Sequence, residues 1–253
     1  MKCTAGGSAG SPPSDASGVN ACDQPQQAMI SIIIPVFNEA TTLPLTLPPL
    51  VAMPNLEVIV VDGGSGDRTV ALAQSYGATV FTAPQPGRAP QMNYGASQAS
   101  GDIFLFLHAD TQLPPDFPHW VEMTLAKPGV IVGAFQLQIA DDRPALRWVE
   151  RLVQWRSHYL ALPYGDQGLF IAKSDFEQWG GFPDLPIMED FVWVRQMGKQ
   201  GKIAIAPAAV HTSARRWQRL GLLKTTGINQ LMILGYTCGI NPHRLARWYR
   251  SWR

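Results

Sequence analysis

The chain has 253 residues, 46% hydrophobic and 15% charged, which supplies one sizeable core or two small ones and excludes a disordered protein. Its net charge of +1 conceals two opposed parts: residues 1–190 hold all 19 Asp and Glu against 9 Lys and Arg, whereas residues 191–253 hold 11 Lys and Arg and no acid. Such a basic end suits a phosphate-bearing or membrane-surface partner, or a solvated basic face; a nucleic-acid partner is not expected.

Residues 1–28 are rich in Gly, Ser, Ala, Pro and Gln, a composition that reads as a disordered tail. Met29 stands immediately before the first strand and is a candidate alternative start. Cys3, Cys22 and Cys238 lack the spacing of a disulfide framework or a zinc site. No apolar region follows Lys2 as in a secretory signal, and no run reaches the roughly 18 apolar residues that a spanning helix needs. The expected location is the cytoplasm, soluble or peripheral on the inner face of the cell membrane.

The folded part opens with an apolar strand, Met29–Val36, in which Pro35 precedes Phe37, Asn38 and Glu39. An aromatic there can stack on a base, and the polar pair can reach its edge or ribose. Strands then follow over Leu56–Val61, Ala78–Thr82 and Asp102–Leu107, with helix-length segments near 40–52, 67–76 and 89–99 between them. This alternation predicts an α/β fold with βαβ units and a mostly parallel sheet covered by helices on both faces. Two of the strands run straight into carboxylates, at Asp62-Gly63-Gly64-Ser65-Gly66-Asp67 and at His108-Ala109-Asp110. In open α/β sheets ligands bind outside the carboxyl ends of the strands, so both acids are placed for a ligand. Asp62 offers an acceptor for a base N–H, Gly63 lets backbone approach closely, and Asp67 reads as a helix cap. Asp110 is either a hard oxygen ligand for Mg²⁺ or Mn²⁺ or the cap of a helix starting near Pro114-Pro115.

Beyond Asp110 the rhythm changes. A long strand is expected over Val130–Ile139, a helix over Pro144–Leu160 and a strand over Gly168–Ala172. A helix over Asp190–Lys199 and a last strand over Lys202–Ala206 follow. Trp148, Leu152, Trp155 and Tyr159 share one helical face, read as core, subunit contact (a homodimer) or acceptor groove. Gly165-Asp166-Gln167-Gly168 is either an ordinary turn or a ligand loop, with Asp166 and Gln167 touching sugar or acceptor. A C-terminal helix over Pro242–Arg253 places Leu245, Trp248, Tyr249 and Trp252 on one face. It either lies on an anionic membrane or packs on its own domain or a dimer mate.

Phe37-Asn38-Glu39, Asp62-Gly63-Gly64-Ser65-x-Asp67, Gly87-Arg88-Ala89-Pro90-Gln91-Met92-Asn93-Tyr94-Gly95-Ala96, His108-Ala109-Asp110-Thr111 and Glu189-Asp190 occur in order over roughly residues 30–215. Together they resemble family 2 glycosyltransferases, which have the GT-A fold and use nucleotide-diphosphate sugars. The His-Ala-Asp variant is similar to a bacterial branch of that family. The resemblance implies a domain over 29–215, a helical basic extension over 216–253, and Asp190 as catalytic base. It further implies nucleotide or substrate contacts from Pro35, Phe37, Glu39, Asp62, Gly63, Arg88, Asn93, His108 and Ala109. Asp110 would bind Mn²⁺ or Mg²⁺, with His211 either completing that site or structural. Glu189 would orient the acceptor or its loop. Arg215 and Arg216, with Arg88, would stabilise the leaving diphosphate or begin a solvent-facing helix. The expected activity is inverting, metal-assisted transfer, UDP favoured and guanosine next, to a hydroxyl on a lipid, pigment, glycan or small metabolite.

Competing readings fare less well. A sugar-phosphate nucleotidyltransferase usually needs a Gly-rich basic loop after the first strand, where Pro35-Val36-Phe37-Asn38-Glu39 stands instead. A dehydrogenase or P-loop ATPase lacks its glycine fingerprint here. A catalytically silent sugar-nucleotide binder or membrane scaffold is the alternative from another class.

Overall fold

A computed structural model describes residues 28–252 together with residues 1, 2 and 6; the expected N-terminal tail otherwise lies outside the described residues. Among the described residues eight strands form one sheet in the order β3-β2-β1-β4-β7-β6-β8-β5. They are β1 (Ile30–Val36), β2 (Leu56–Asp62), β3 (Thr79–Thr82), β4 (Ile103–Phe106), β5 (Thr111–Gln112), β6 (Val130–Ala140), β7 (Leu169–Ala172) and β8 (Lys202–Ser213). β3, β2, β1 and β4 run parallel. β7 joins β4 and β6 antiparallel, β6 and β8 are parallel, and β5 closes the edge antiparallel to β8.

The helices are α1 (Leu43–Val51), α2 (Thr69–Ser75), α3 (Arg88–Gln98), α4 (Phe117–Leu125), α5 (Pro144–Tyr159), α6 (Lys173–Trp179), α7 (Glu189–Met197), α8 (Arg215–Leu220), α9 (Leu222–Thr237) and α10 (Pro242–Ser251). Strand alternation sends successive residues to opposite faces, and here both faces are buried. Ile32, Ile34 and Val60 meet α1, α4 and α5 on one side. Ile33, Ile59 and Val61 meet α3, Phe176 of α6 and Trp193 of α7 on the other. Continuous apolar strands are what a doubly covered sheet requires.

Two differences from expectation have local causes, and one open alternative is decided. β8 runs to Ser213 and not to Ala206, because Pro207 falls where the β6–β8 register slips between Ala134 and Gln136; a bulge tolerates a residue without an N–H. The helix expected near Pro114 begins at Phe117, too far along the chain for Asp110 to cap it. The C-terminal helix packs on its own domain with most of its apolar face, and Trp248 stays exposed. Leu245 is fully buried, and Tyr249 and Trp252 pack with it against Met188, Phe191, Ile228 and Met232.

Candidate active site

The carboxyl ends of β1, β2 and β4 form one wall of a crevice. β1 delivers Phe37, whose ring is 60% exposed, then Asn38 in the left-handed region at φ 55°. Asn38 Oδ1 accepts the Gly66 N–H at 2.9 Å, and Ser65 Oγ accepts the Asn38 N–H at 2.8 Å. The loop after β1 is thereby locked to the loop after β2. Asp62 is buried and closes its own loop, accepting the N–H groups of Gly64 (3.0 Å) and Ser65 (3.1 Å). Asp67 accepts from the backbone and hydroxyl of Thr69 at the start of α2, as a cap would, and from the Ala40 N–H.

Gln91 carries a role that its place in the motif did not reveal. Buried on α3, it donates to the carbonyls of Val36 (2.8 Å) and Val61 (2.7 Å), binding two strand ends together. A side chain on Gly63 would meet that amide at 3.0 Å, so packing against Gln91 favours glycine there. Asn93 is half-buried, and its amide brackets Phe182, donating to the carbonyl and accepting the N–H, both at 2.8 Å. It thereby pins the segment that leads to α7.

β4 ends in His108-Ala109-Asp110, held from α1 by Thr46 Oγ1 donating to the Ala109 carbonyl at 2.8 Å. Arg215 joins this end to β1: its guanidinium lies 3.1 Å from Glu39 and 3.3 Å from Asp110. Although partial burial opposes its charge, the two carboxylates hold Arg215 above the usual guanidinium range. Arg216 stacks over Tyr249 at 4.7 Å, tying α8 to α10.

The opposite wall comes from the turn Gly165–Gln167 and the start of α7. Gly165 N–H donates to Asp190 Oδ2 at 2.8 Å, and Phe191 N–H donates to Oδ1 at 2.7 Å, so the carboxylate is aimed by two backbone groups. A Cβ on Gly165 would stand 3.1 Å from His108 Nε2 and 3.2 Å from Asp190 Oδ2; this glycine is where the two walls meet. Met188 precedes α7 at φ 69°, an uncommon conformation for a bulky residue. Glu189 is buried and pairs with Arg88 at 3.5 Å. Burial pushes the Glu189 carboxyl up, against the pull of Arg88. Burial also opposes the charge of Arg88, and Glu189, Asp190, Tyr249 and Asp110 together outweigh it and hold its pKa high.

Asp166 and Gln167 part company. Gln167 is fully buried; its carbonyl oxygen accepts from Ser157 (2.9 Å), Arg156 (3.1 Å) and the Tyr164 N–H (3.2 Å), while its amide donates to Phe135 O (2.9 Å). It anchors the turn from within. Asp166 points the other way. Its Oδ1 is shielded from solvent without a hydrogen-bond partner among the described residues. Burial raises its pKa to about 6, against Arg156 and helped by the nearby charges of Asp190 and Asp110.

His211 is exposed on β8, registered against Gln112, while the Ser213 N–H donates to the Asp110 carbonyl. The two residues are therefore diagonal neighbours across β5 and β8, a relation that puts Cβ atoms about 7–8 Å apart or somewhat less. Among the described residues no group of three or more His, Cys, Asp and Glu assembles.

Comparison with known proteins agrees with this geometry. The family model for glycosyl transferase family 2 matches residues 31–176. The undecaprenyl-phosphate 4-deoxy-4-formamido-L-arabinose transferase of Pseudomonas aeruginosa is 31% identical over 138 residues, 49% of this chain and 40% of that protein. An uncharacterised glycosyltransferase of Rickettsia typhi is 34% identical over 100 residues, 38% of this chain and 31% of that protein. The chain thus spans less than half the length of these relatives. Among solved structures, a Pyrobaculum calidifontis mannosyltransferase in complex with GDP-Man and Mn²⁺ superposes with a TM-score of 0.60 at 21% identity, covering 81% of this chain and 65% of that one. Glucosyl-3-phosphoglycerate synthase from Mycobacterium tuberculosis, in complex with Mn²⁺ and UDP-glucose, gives 0.59 at 19% identity, covering 84% and 80%. At these identities the structures establish the fold, which is GT-A.

Proposed function

The chain belongs to glycosyl transferase family 2, and on that premise we propose that it moves a sugar, with inversion, from a nucleotide-diphosphate sugar to a hydroxyl acceptor. One observation carries the reading: the strand-end crevice with Phe37, Asp62 and Asp110 faces, across His108 and Gly165, a carboxylate aimed by two backbone N–H groups at Asp190. The base and ribose of the donor are assigned to the wall of Phe37, Glu39, Asp62 and Gly63, with Pro35 setting the end of β1. His108, Ala109 and Arg88 are assigned to the diphosphate side. UDP is the favoured carrier.

In the reaction the acceptor oxygen attacks the anomeric carbon from the side opposite the diphosphate. The bond to the diphosphate breaks and its electron pair leaves with that group. The hydroxyl proton passes to Asp190. Arg88, held by Glu189, supplies positive charge near the leaving group, where such preorganised charge acts most strongly. Asp110 and His211 fit Mn²⁺ or Mg²⁺ as a two-residue set, since these ions commonly take few protein ligands and complete their shell with substrate phosphate and water. When bound there, the cation would neutralise charge on the diphosphate. Arg215, already on Asp110, must share that carboxylate.

The test is thermal unfolding with UDP, GDP, CDP, ADP or TDP, each with Mn²⁺, Mg²⁺ or EDTA. A ligand that binds only the folded state raises the transition temperature. One nucleotide is expected to do so, with the shift lost in EDTA and in Asp110→Ala. A folded sample that responds to no nucleotide overturns the reading.

A further inference from the structure

Beside the crevice lies a second cavity, of about 580 Å³, within the roughly 300–1,000 Å³ range of ligand sites. α5 supplies an apolar wall through Val149, Leu152, Val153 and Trp155, α9 faces it with Thr226 and Ile233, and Asp166 and Arg156 stand in its lining. α5 is bound to the protein by its other side: Glu150 is buried and accepts the Ile139 N–H at 2.6 Å, and Leu146 is fully buried. The aromatic face that the sequence left open between core, subunit contact and groove is on the surface. Trp148 is 66% exposed, Leu152 61%, Trp155 55% and Tyr159 77%. A stripe of this kind is unusual on a soluble surface and marks an interaction site. Leu152 and Trp155 belong to both stripe and cavity, so the exposed apolar surface continues inward to Asp166.

At the inner end two buried atoms lack hydrogen-bond partners among the described residues: Asp166 Oδ1, an acceptor, and Arg156 Nε, a donor. An unpaired buried polar atom is costly, and a ligand hydroxyl brought to Asp166 can both donate and accept. We propose that this cavity is the acceptor subsite and that the acceptor is an amphiphile with two neighbouring hydroxyls drawn from a membrane, one hydroxyl anchored at Asp166, the other left to give its proton to Asp190, and its hydrocarbon chain along α5. The aromatic stripe rests in the membrane interface, as aromatic residues with one apolar and one wet end do. Arg151, which lies over the Trp148 ring at 5.2 Å, and the acid-free stretch from residue 191 favour an anionic surface. Among the described residues no helix is long and apolar enough to cross a membrane, consistent with contact from one side. The inference rests on the transfer reading for the word acceptor; the cavity and the stripe stand on geometry alone.

The experiment uses the full chain and two probes, 1,2-decanediol and 1,2-butanediol, followed by tryptophan fluorescence because Trp155 lines the cavity. The longer diol is expected to saturate one site at least tenfold more tightly than the shorter. Thr226→Trp, which fills the cavity, should weaken the longer diol at least tenfold and leave the nucleotide-induced thermal shift intact. Flotation with phosphatidylcholine vesicles containing 30% phosphatidylglycerol should carry the wild type upward, and the triple variant W148S/L152S/Y159S should remain below. Equal affinity for the two diols overturns the proposal, as does a Thr226→Trp protein that shows the nucleotide shift and binds the diol unchanged. A wild type that does not float, but forms a dimer abolished by the triple variant, reassigns the stripe to a second copy. Diol binding without any nucleotide response removes the acceptor role while keeping a lipid site, so failure of the transfer reading is distinguishable.

Discussion

The two walls of the crevice are built to different specifications. On the side of β1, β2 and β4, polar groups are paired within the protein: Asp62 closes its loop, Asn38 and Ser65 clasp each other, and Gln91 holds two strand ends. On the side of α5, α7 and α9, Asp166 and Arg156 keep buried atoms without partners, and large apolar side chains face outward. Local satisfaction rigidifies a site for a ligand held through shape and a few contacts. Unanswered groups next to an apolar cavity mark where a ligand has to complete the structure. The proposed donor and acceptor sites therefore rest on different physics, paired polar groups on one side and open apolar surface on the other.

Substitutions at the seam and on each wall break or sharpen that contrast. The largest effect belongs to Asp190→Asn: transfer should fall by about 10²–10⁴-fold, the range of general base catalysis, while nucleotide affinity measured by calorimetry stays within a few-fold. Equal loss of both would merge the two walls into one site. Next comes Gly165→Ala, where the added Cβ presses on His108 and Asp190; a shift of a few tenths of an ångström in the Asp190 carboxylate should lower the rate by less than the roughly 10²-fold that a 1 Å misplacement costs. Turnover at saturating donor is the readout, with nucleotide affinity again the control.

A smaller effect separates the acceptor wall by pH. The folded-state pKa of Asp166 is raised to about 6 by burial, above its value in the unfolded chain. The folded state therefore holds the proton more tightly, and stability from this group is present at low pH and lost as pH rises through about 6. Asp166→Asn should then raise the transition temperature at pH 8, by at most about 3 kcal/mol of stability, and the gain should vanish near pH 4. A gain that is flat with pH would deny the carboxyl its buried setting. The smallest effect is that of Arg215→Ala. The half-exposed pair with Glu39 and Asp110 is worth about 1 kcal/mol or less to stability. Melting should hardly change, whereas the cation dependence of the nucleotide shift should, because Asp110 is freed.

Much of the donor wall was legible in the sequence because its elements are local. Ile32–Ile34, Val58–Val61 and Ile103–Phe106 are continuous apolar runs that only a doubly covered sheet can bury, and each leads directly into the loop that carries Asp62 or Asp110. The internal hydrogen bonds of Asn93 to Phe182 and of Gln167 to Phe135 and Ser157 were not legible, because a motif shows which side chains lie together and not which way they point. Arg215 meets Glu39 across 176 residues of chain, a pairing that no spacing displays. The C-terminal helix had the pattern of a membrane face. Most of its apolar side is buried because Met188, Phe191 and Ile228 present a matching surface, and periodicity cannot say what covers a stripe.

By itself the sequence determined the α/β order, the strands that end in acids and the family to which those motifs belong, because hydrophobic period and short motifs are encoded within a few residues. The tertiary structure alone decided which of two amphipathic helices is covered and which is open, which carboxylates are saturated, and that Asp166 lies between the crevice and an apolar cavity. Those outcomes depend on contacts between residues far apart in the chain, where burial and unmet hydrogen bonds are set by what happens to pack alongside.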